Sequence, residues 1–329
     1  MNDKPADLAR MLPAPIVPDL SADRHRDLKD AFMQTITTEV PQAQPRPARR
    51  RWALIAAPAA AFAVAAVAIT AVTVSRQSSG PEGSAAPIIA VDPGSASGVA
   101  PLIDRLALAA GGSPSTPVGS GQFVYIRSKV AWLVFAEPMP KDGSQSMGED
   151  PMILDKVHSR EIWIPATAGS TGKIREHGDL FGLEGTRTNS FYAGWPTDPD
   201  ALLRKVYTDT KGQGQNSDDQ AFDEIGGALR ESILPPEVAA ALYRAAAKIP
   251  GVVLVKDSVD AAGRHGVAVA HTDIQGERRE WIFDPATFTY LGERSYLVRD
   301  TNVGKKGMLT GTTAVLERAV VDQAGKAPR

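Results

Sequence analysis

The chain of 329 residues contains no cysteine. Disulfide bonds, thiol nucleophiles and cysteine-ligated zinc sites are therefore excluded. Aromatic residues are scarce, at 6%, and acidic and basic side chains nearly balance, which leaves a formal net charge of −2. Because nucleic-acid-binding surfaces are strongly basic, we expect no nucleic-acid partner.

Charged residues are also missing from residues 52–74, an apolar run that directly follows Arg49, Arg50 and Arg51. A helix of this length spans roughly 34 Å, enough to cross the hydrocarbon core of a bilayer. Only Arg76 follows closely, so the excess of basic residues predicts a cytoplasmic amino terminus and an extracellular carboxyl-terminal domain. A cleaved signal peptide needs a shorter apolar run at the start of the chain, and a buried core helix needs an amphipathic pattern. We therefore predict an uncleaved single-pass anchor in the cell membrane, with the lipid bilayer as its partner.

The predicted cytoplasmic tail, residues 1–51, contains one short amphipathic helix. Its apolar residues Leu28, Phe32 and Ile36 recur at every fourth position, which is typical of one helix face. A helix of about four turns is marginal by itself in water and gains stability from a partner. We expect these three side chains to bind a cytoplasmic protein; a partly folded juxtamembrane segment is the alternative.

Beyond the anchor, residues 75–97 are rich in Ser, Gly, Pro and Ala and predict a flexible linker. Residues 98–329 form the predicted exported domain. Long β-branched and aromatic runs separated by turn residues indicate strands, and segments with apolar residues on one face indicate helices. The fold class predicted is α+β, with a curved antiparallel sheet packed on three or four helices. Two cross-strand ion pairs are expected in that sheet, Arg160–Glu176 and Glu277–Arg294.

Four histidines follow the anchor: His158, His177, His265 and His271. Two pairs are expected to face each other across hairpins, His158 with His177 and His265 with His271. No carboxylate pattern in the sequence completes a metal site around either pair, so satisfied or exposed histidines are favoured over ligands. The chain also lacks a G-x-S-x-G nucleophile elbow. We predict no enzyme activity, no catalytic residue, no cofactor and no metal.

Three segments carry a resemblance to known proteins. They read GWPTDPDALLRKVY, then ALRESILPPEVAAALYRAAAKIPGVVLVKDSVDAAGRHGVAVAH, then REWIFDPATFTYLGER. Together with the anchor they resemble an actinobacterial family of single-pass membrane proteins often encoded beside extracytoplasmic-function sigma factors. The exported part is also similar to lipoprotein-carrier-like domains and to sensor domains that act as anti-sigma partners. This similarity implies an apolar groove formed by the sheet and its helices.

Topology and resemblance together predict a membrane-anchored regulator or sensor without enzyme activity. Its exported domain binds a ligand or partner, such as an apolar molecule or an envelope protein, and its tail contacts a sigma factor. The alternative is an envelope module that binds lipid, lipoprotein or peptide without cytoplasmic signalling. An exported enzyme is the third reading, since triads formed by folding are invisible in a single sequence.

Overall fold

The computed structural model describes residues 85–135 and 152–328, all of which belong to one unit of the chain, Val74–Arg329. The predicted anchor at 52–74 and the predicted tail residues Leu28, Phe32 and Ile36 lie outside the described residues. Among the residues that are described, no helix is both long enough and apolar enough to span a membrane.

Within these two ranges the chain forms five helices and ten strands. The helices are α1 (Val99–Gly111), α2 (Asn189–Ala193), α3 (Pro199–Asp209), α4 (Ser217–Glu231) and α5 (Pro236–Ala246). The strands are β1 (Phe123–Phe135), β2 (Met152–Leu154), β3 (His158–Pro165), β4 (Gly172–Glu176), β5 (Asp179–Leu183), β6 (Val253–Val259), β7 (His265–Thr272), β8 (Glu277–Phe283), β9 (Tyr290–Leu297) and β10 (Leu309–Val321).

All ten strands belong to one sheet, in the order β5-β4-β3-β1-β10-β9-β8-β7-β6, and β2 pairs with the end of β1. Every pairing in the sheet is antiparallel. The two longest strands, β1 and β10, pair at the middle, so they join the β3–β5 hairpins to the β6–β9 hairpins. The mixed α+β fold with a large antiparallel sheet is therefore confirmed.

The helices begin where polar caps and prolines allow them to. Asp198 precedes α3 and its carboxylate accepts the backbone N–H of Ala201 at 2.8 Å. Asn216 precedes α4 and accepts two backbone N–H groups of the first turn. Pro236 opens α5, where the missing N–H costs nothing. These caps satisfy donors that a helix leaves unpaired at its first turn.

Helices α1, α3, α4 and α5 share one hydrophobic core with strands β7–β9. The shared core contains Phe222 of α4 and Tyr243 of α5 against Trp281 and Phe283 of β8. The rings of Trp281 and Phe283 are fully buried. Burial of apolar side chains of this size stabilises each by roughly 1.5–3 kcal/mol, so this core holds the helices on the sheet.

The two expected ion pairs differ from those in the structure. Arg160 and Glu176 do lie opposite each other on β3 and β4. Arg160 binds Glu231 instead, with an N–O distance of 3.2 Å. The pairing of Glu277 with Arg294 is wrong, because the register of β8 and β9 places Glu280 opposite Arg294.

Part of the predicted flexible linker contacts the domain. Ile88 forms a bridge with Met308, and Ser95 forms one with Leu254. The backbone N–H of Leu309 donates to the carbonyl of Pro87 at 2.9 Å. Residues 87–95 therefore form a bound segment that precedes α1.

Candidate functional site at the β5 edge

The two edges of the sheet differ in what lies beside them. At the β6 edge, Leu254 and Ser95 exchange two backbone hydrogen bonds of 2.8 and 3.0 Å, so the segment before α1 covers part of it. At the opposite edge, β5 pairs with β4 on its inner side, and no other strand of the described ranges pairs with its outer side. Alternate residues of β5 direct their N–H and C=O groups outward. An edge of this kind is a template for another extended chain.

Two side chains of β5, Leu180 and Phe181, are apolar and exposed, whereas Asp179 is acidic and Leu183 is half-buried. Leu180 is 44% exposed and Phe181 is 54% exposed, and successive residues of a strand point to opposite faces. The strand contains neither lysine nor proline, the residues that commonly block edge-to-edge pairing. Within the described ranges, Leu180 and Phe181 therefore stay exposed, and an added strand would bury more of both side chains.

Phe181 ends a row of apolar residues that crosses four strands. Ile126 of β1 lies opposite Ile162 of β3, Ile162 opposite Ile174 of β4, and Ile174 opposite Phe181. Exposure increases along this row: Ile126 and Ile162 are buried, Ile174 is half-buried and Phe181 is exposed. A strand added beside β5 extends the same apolar face by one position.

The opposite face of these strands is held by charged groups. The hydroxyl of Tyr125 donates to one carboxylate oxygen of Glu161 at 2.5 Å, and Arg175 of β4 donates to the other at 2.5 Å. Burial raises the pKa of Glu161, but the hydrogen bonds from Tyr125 and Arg175 outweigh it and hold the pKa below its usual value. The charged Glu161 thus anchors β4, and with it the edge hairpin, to the centre of the sheet.

The edge hairpin turns at His177 and Gly178. Both residues have positive φ, 51° and 93°, and Glu176 lies opposite Asp179 across a two-residue loop. A loop with two left-handed residues matches the twist of a hairpin and usually has the sequence Asn-Gly or Asp-Gly. Histidine also tolerates this backbone region better than most residues.

Strand β5 was not expected from the sequence. The signal in the sequence is the His177-Gly178 pair, an unusual version of a common hairpin turn. A short strand bounded by glycines offers little alternation to detect.

The predicted histidine pairs have different outcomes. His158 and His177 do lie together, with ring centroids 4.0 Å apart. The pairing of His265 with His271 is wrong because both residues lie on β7. His265 contacts Asp257 at 2.8 Å, and His271 contacts the carbonyl of Pro250 at 3.1 Å.

The helix side of the sheet, where an apolar groove was expected, holds the packed core around Trp281. Next to it, a cavity of about 190 Å³ lies between α1, α4 and α5, lined by Tyr243, Tyr290 and Arg318 among others. Pockets for ligands of drug size occupy roughly 300–1,000 Å³. This cavity is therefore smaller than a typical ligand pocket.

Comparison with known proteins gives a limited result. No family model matches this chain, and no curated protein matches it. The solved structures similar to it include MucB in complex with MucA(peri), the Pseudomonas aeruginosa MucA/MucB complex, and MucB alone. Each is 16% identical over 70–71% of this chain, with TM-scores of 0.22–0.23.

The chain spans only 57–61% of the length of those structures. MucB, one of these neighbours, was solved in complex with MucA. TM-scores this low carry no argument about function. The resemblance to an actinobacterial family stays a prediction.

Proposed function

We propose that this domain is a binding module without enzyme activity, and that its β5 edge receives an extended segment of another protein as an additional strand. The observation that carries the proposal is the open β5 edge with its exposed Leu180 and Phe181. In this mode of recognition, main-chain hydrogen bonds supply affinity, and side chains beside the strand supply specificity. Apolar residues are expected in the bound segment where it meets Phe181.

The wider setting is that of a membrane-anchored regulator. With the anchor at 52–74 and a cytoplasmic amino terminus, the domain lies outside the cytoplasm, and its partner is an envelope protein. Inside, Leu28, Phe32 and Ile36 contact a sigma factor. Support for this part comes from the arginines before the anchor and from the sequence resemblance, whereas the MucB structures add no weight.

The edge is tested by photo-crosslinking in the full-length protein. The photoreactive residue p-benzoylphenylalanine replaces Phe181 in one variant and Leu108 in a matched control. Leu108 is 76% exposed and lies on α1, away from the edge strand. We expect one protein to crosslink through position 181 and not through position 108. A synthetic peptide copying the crosslinked segment should compete for the site.

Three outcomes contradict the proposal. Equal crosslinking from both positions indicates nonspecific contact. Crosslinking to lipid alone favours the alternative of an envelope lipid-binding module. Crosslinking to residues 136–151 of the same chain shows that the edge is occupied internally.

The sigma-factor contact needs a separate experiment, because it involves a different part of the chain. Affinity capture with the full-length protein is compared for Phe32→Ala, Leu28→Ala and the control Gln34→Ala. Gln34 lies on the other side of the predicted helix. We expect loss of a sigma factor in the first two variants only; equal recovery from all three contradicts the contact.

A further inference from the structure

We infer that Asp155, His158 and His177 form a binding site for one divalent transition-metal ion, with zinc as the best chemical match. The site lies where the turn of the edge hairpin meets the loop before β3. It is independent of the partner proposed for the β5 edge.

The three side chains come from two segments, because Asp155 and His158 lie at the entrance to β3 and His177 lies in the hairpin turn. Asp155 Oδ2 lies 3.2 Å from His158 Nδ1 and 3.8 Å from His177 Nε2. All three ligand atoms lie within 4.8 Å of one another. Zinc–nitrogen and zinc–oxygen bonds of about 2.0–2.1 Å place neighbouring ligands of a tetrahedral ion roughly 3.3 Å apart. The spacing therefore fits such an ion after small side-chain movements.

His158 is oriented as metal-bound histidines are. Its Nε2 lies 2.7 Å from the carboxylate Oε1 of Glu176. A proton on Nε2 donates to that carboxylate and leaves the Nδ1 lone pair directed at the cluster. Metal-ligating histidines commonly have such a carboxylate on their other nitrogen, which fixes the tautomer and increases the basicity of the ligand.

The oxygen atoms around Nδ1 of His158 suit a bound cation. Besides Asp155 Oδ2, the backbone carbonyl oxygen of Lys156 lies 2.9 Å from the same nitrogen. A bare lone pair facing two oxygen atoms is unfavourable, whereas a cation bound between them is stabilised by both oxygens. A metal ion also satisfies His177, whose Nε2 is directed at the same carboxylate.

The donor set decides the type of ion. Two imidazole nitrogens and carboxylate oxygen suit zinc, copper and nickel, whereas calcium and magnesium prefer oxygen ligands alone. His177 is 62% exposed, so an ion and a completing water molecule have access. Because His177 lies in the hairpin turn and Asp155 before β3, the ion would tie β4 and β5 to the preceding loop.

The test is calorimetric titration of the untagged, full-length protein with ZnCl₂ after removal of metal by a chelator. Each variant is also melted with and without zinc. The informative variant is His177→Asn, because asparagine keeps the left-handed turn and removes the imidazole. His265→Asn is the matched control, an exposed histidine that also contacts an aspartate.

We expect one zinc ion per chain, a higher Tm with zinc, and a loss of at least tenfold in affinity for His177→Asn and for His158→Gln. The control should bind as the parent does. Glu176→Gln should weaken binding by about 10–100-fold, as loss of a carboxylate behind a ligand does. The inference is overturned if zinc does not bind at 100-fold molar excess, or if His177→Asn binds as tightly as His265→Asn.

Discussion

The indole ring of Trp281 lies flat against the ring of Phe222, with centroids 3.8 Å apart and planes within 9°. This contact joins β8 to α4 in the middle of the core. It also brings the indole nitrogen close to the backbone of α4 at Gly226. A Cβ atom built on Gly226 would lie 2.8 Å from Trp281 Nε1.

The first prediction is that a substitution at Gly226 changes stability through the packing of Trp281, and not through helix propensity. Gly226→Ala is expected to lower the free energy of unfolding by about 1–3 kcal/mol, because the fully buried indole has to move. The matched control is Gly227→Ala, where the new Cβ meets only the Tyr192 hydroxyl oxygen at 3.4 Å. That variant should gain up to about 1 kcal/mol from helix propensity. Denaturant unfolding measures both changes, and equal effects would contradict the packing described.

A second prediction concerns the buried carboxylate of Glu280. Its oxygens accept from Ser258 Oγ at 2.6 Å, Tyr296 OH at 2.6 Å and Arg294 Nε at 2.7 Å. Glu280→Gln leaves the guanidinium of Arg294 without its counter-charge and should cost about 3–5 kcal/mol. Ser258→Ala removes one neutral donor and should cost about 0.5–1.5 kcal/mol. Urea denaturation gives both free energies, and a reversed order would show that the charge pair is not the main contribution.

A third prediction links Glu161 to acid stability. Its pKa in the folded protein lies below that of the unfolded chain, so its stabilisation is complete above the unfolded value and is lost as the pH falls through the folded value. Glu161→Gln should cost about 1.5–3 kcal/mol at pH 7, and the difference from the parent should shrink on acidification. Denaturant unfolding at a series of pH values measures it. A constant difference down to pH 2 would show that the carboxylate charge is not involved.

The control for this experiment is Glu184→Gln, which changes an exposed carboxylate just after β5. A surface substitution of this kind should change stability by less than about 0.5 kcal/mol at pH 7. A cost equal to that of Glu161→Gln would indicate a general effect of charge on the hairpin.

A fourth prediction tests the segment before α1. Gly94 has a φ of +76°, and a Cβ on it would lie 2.6 Å from Val253 Cγ2. Gly94→Ala should cost at least about 1–2 kcal/mol, because L-residues are strained in this region. At Gly121, a Cβ meets no atom within 4 Å, so Gly121→Ala should stay within about 0.5 kcal/mol. If thermal melting shows no difference, residues 87–95 are not bound as described.

Local rules predicted most of the elements in this fold. The cap at Asp198, the prolines before α5 and the alternating runs on either side of 260–264 all act within a few residues. Their energies do not depend on distant parts of the chain, so the α+β class and the hairpins were accessible from sequence. The charge asymmetry around 52–74 belongs to the same class of signal, and the anchor it predicts remains to be tested.

The candidate sites depend on contacts between distant segments. Which glutamate faces Arg294 is set by the register of β8 and β9, and a bulge between Ile282 and Phe283 changes that register. The open edge exists because β5 pairs outside β4, and the histidine cluster exists because the hairpin turn folds back to Asp155. Such contacts form only when the whole sheet has assembled. Their energy comes from strand pairing and burial between segments that are far apart in the sequence. Composition and periodicity therefore predict the architecture, whereas the open edge and the three-residue cluster beside it arise only in the folded sheet.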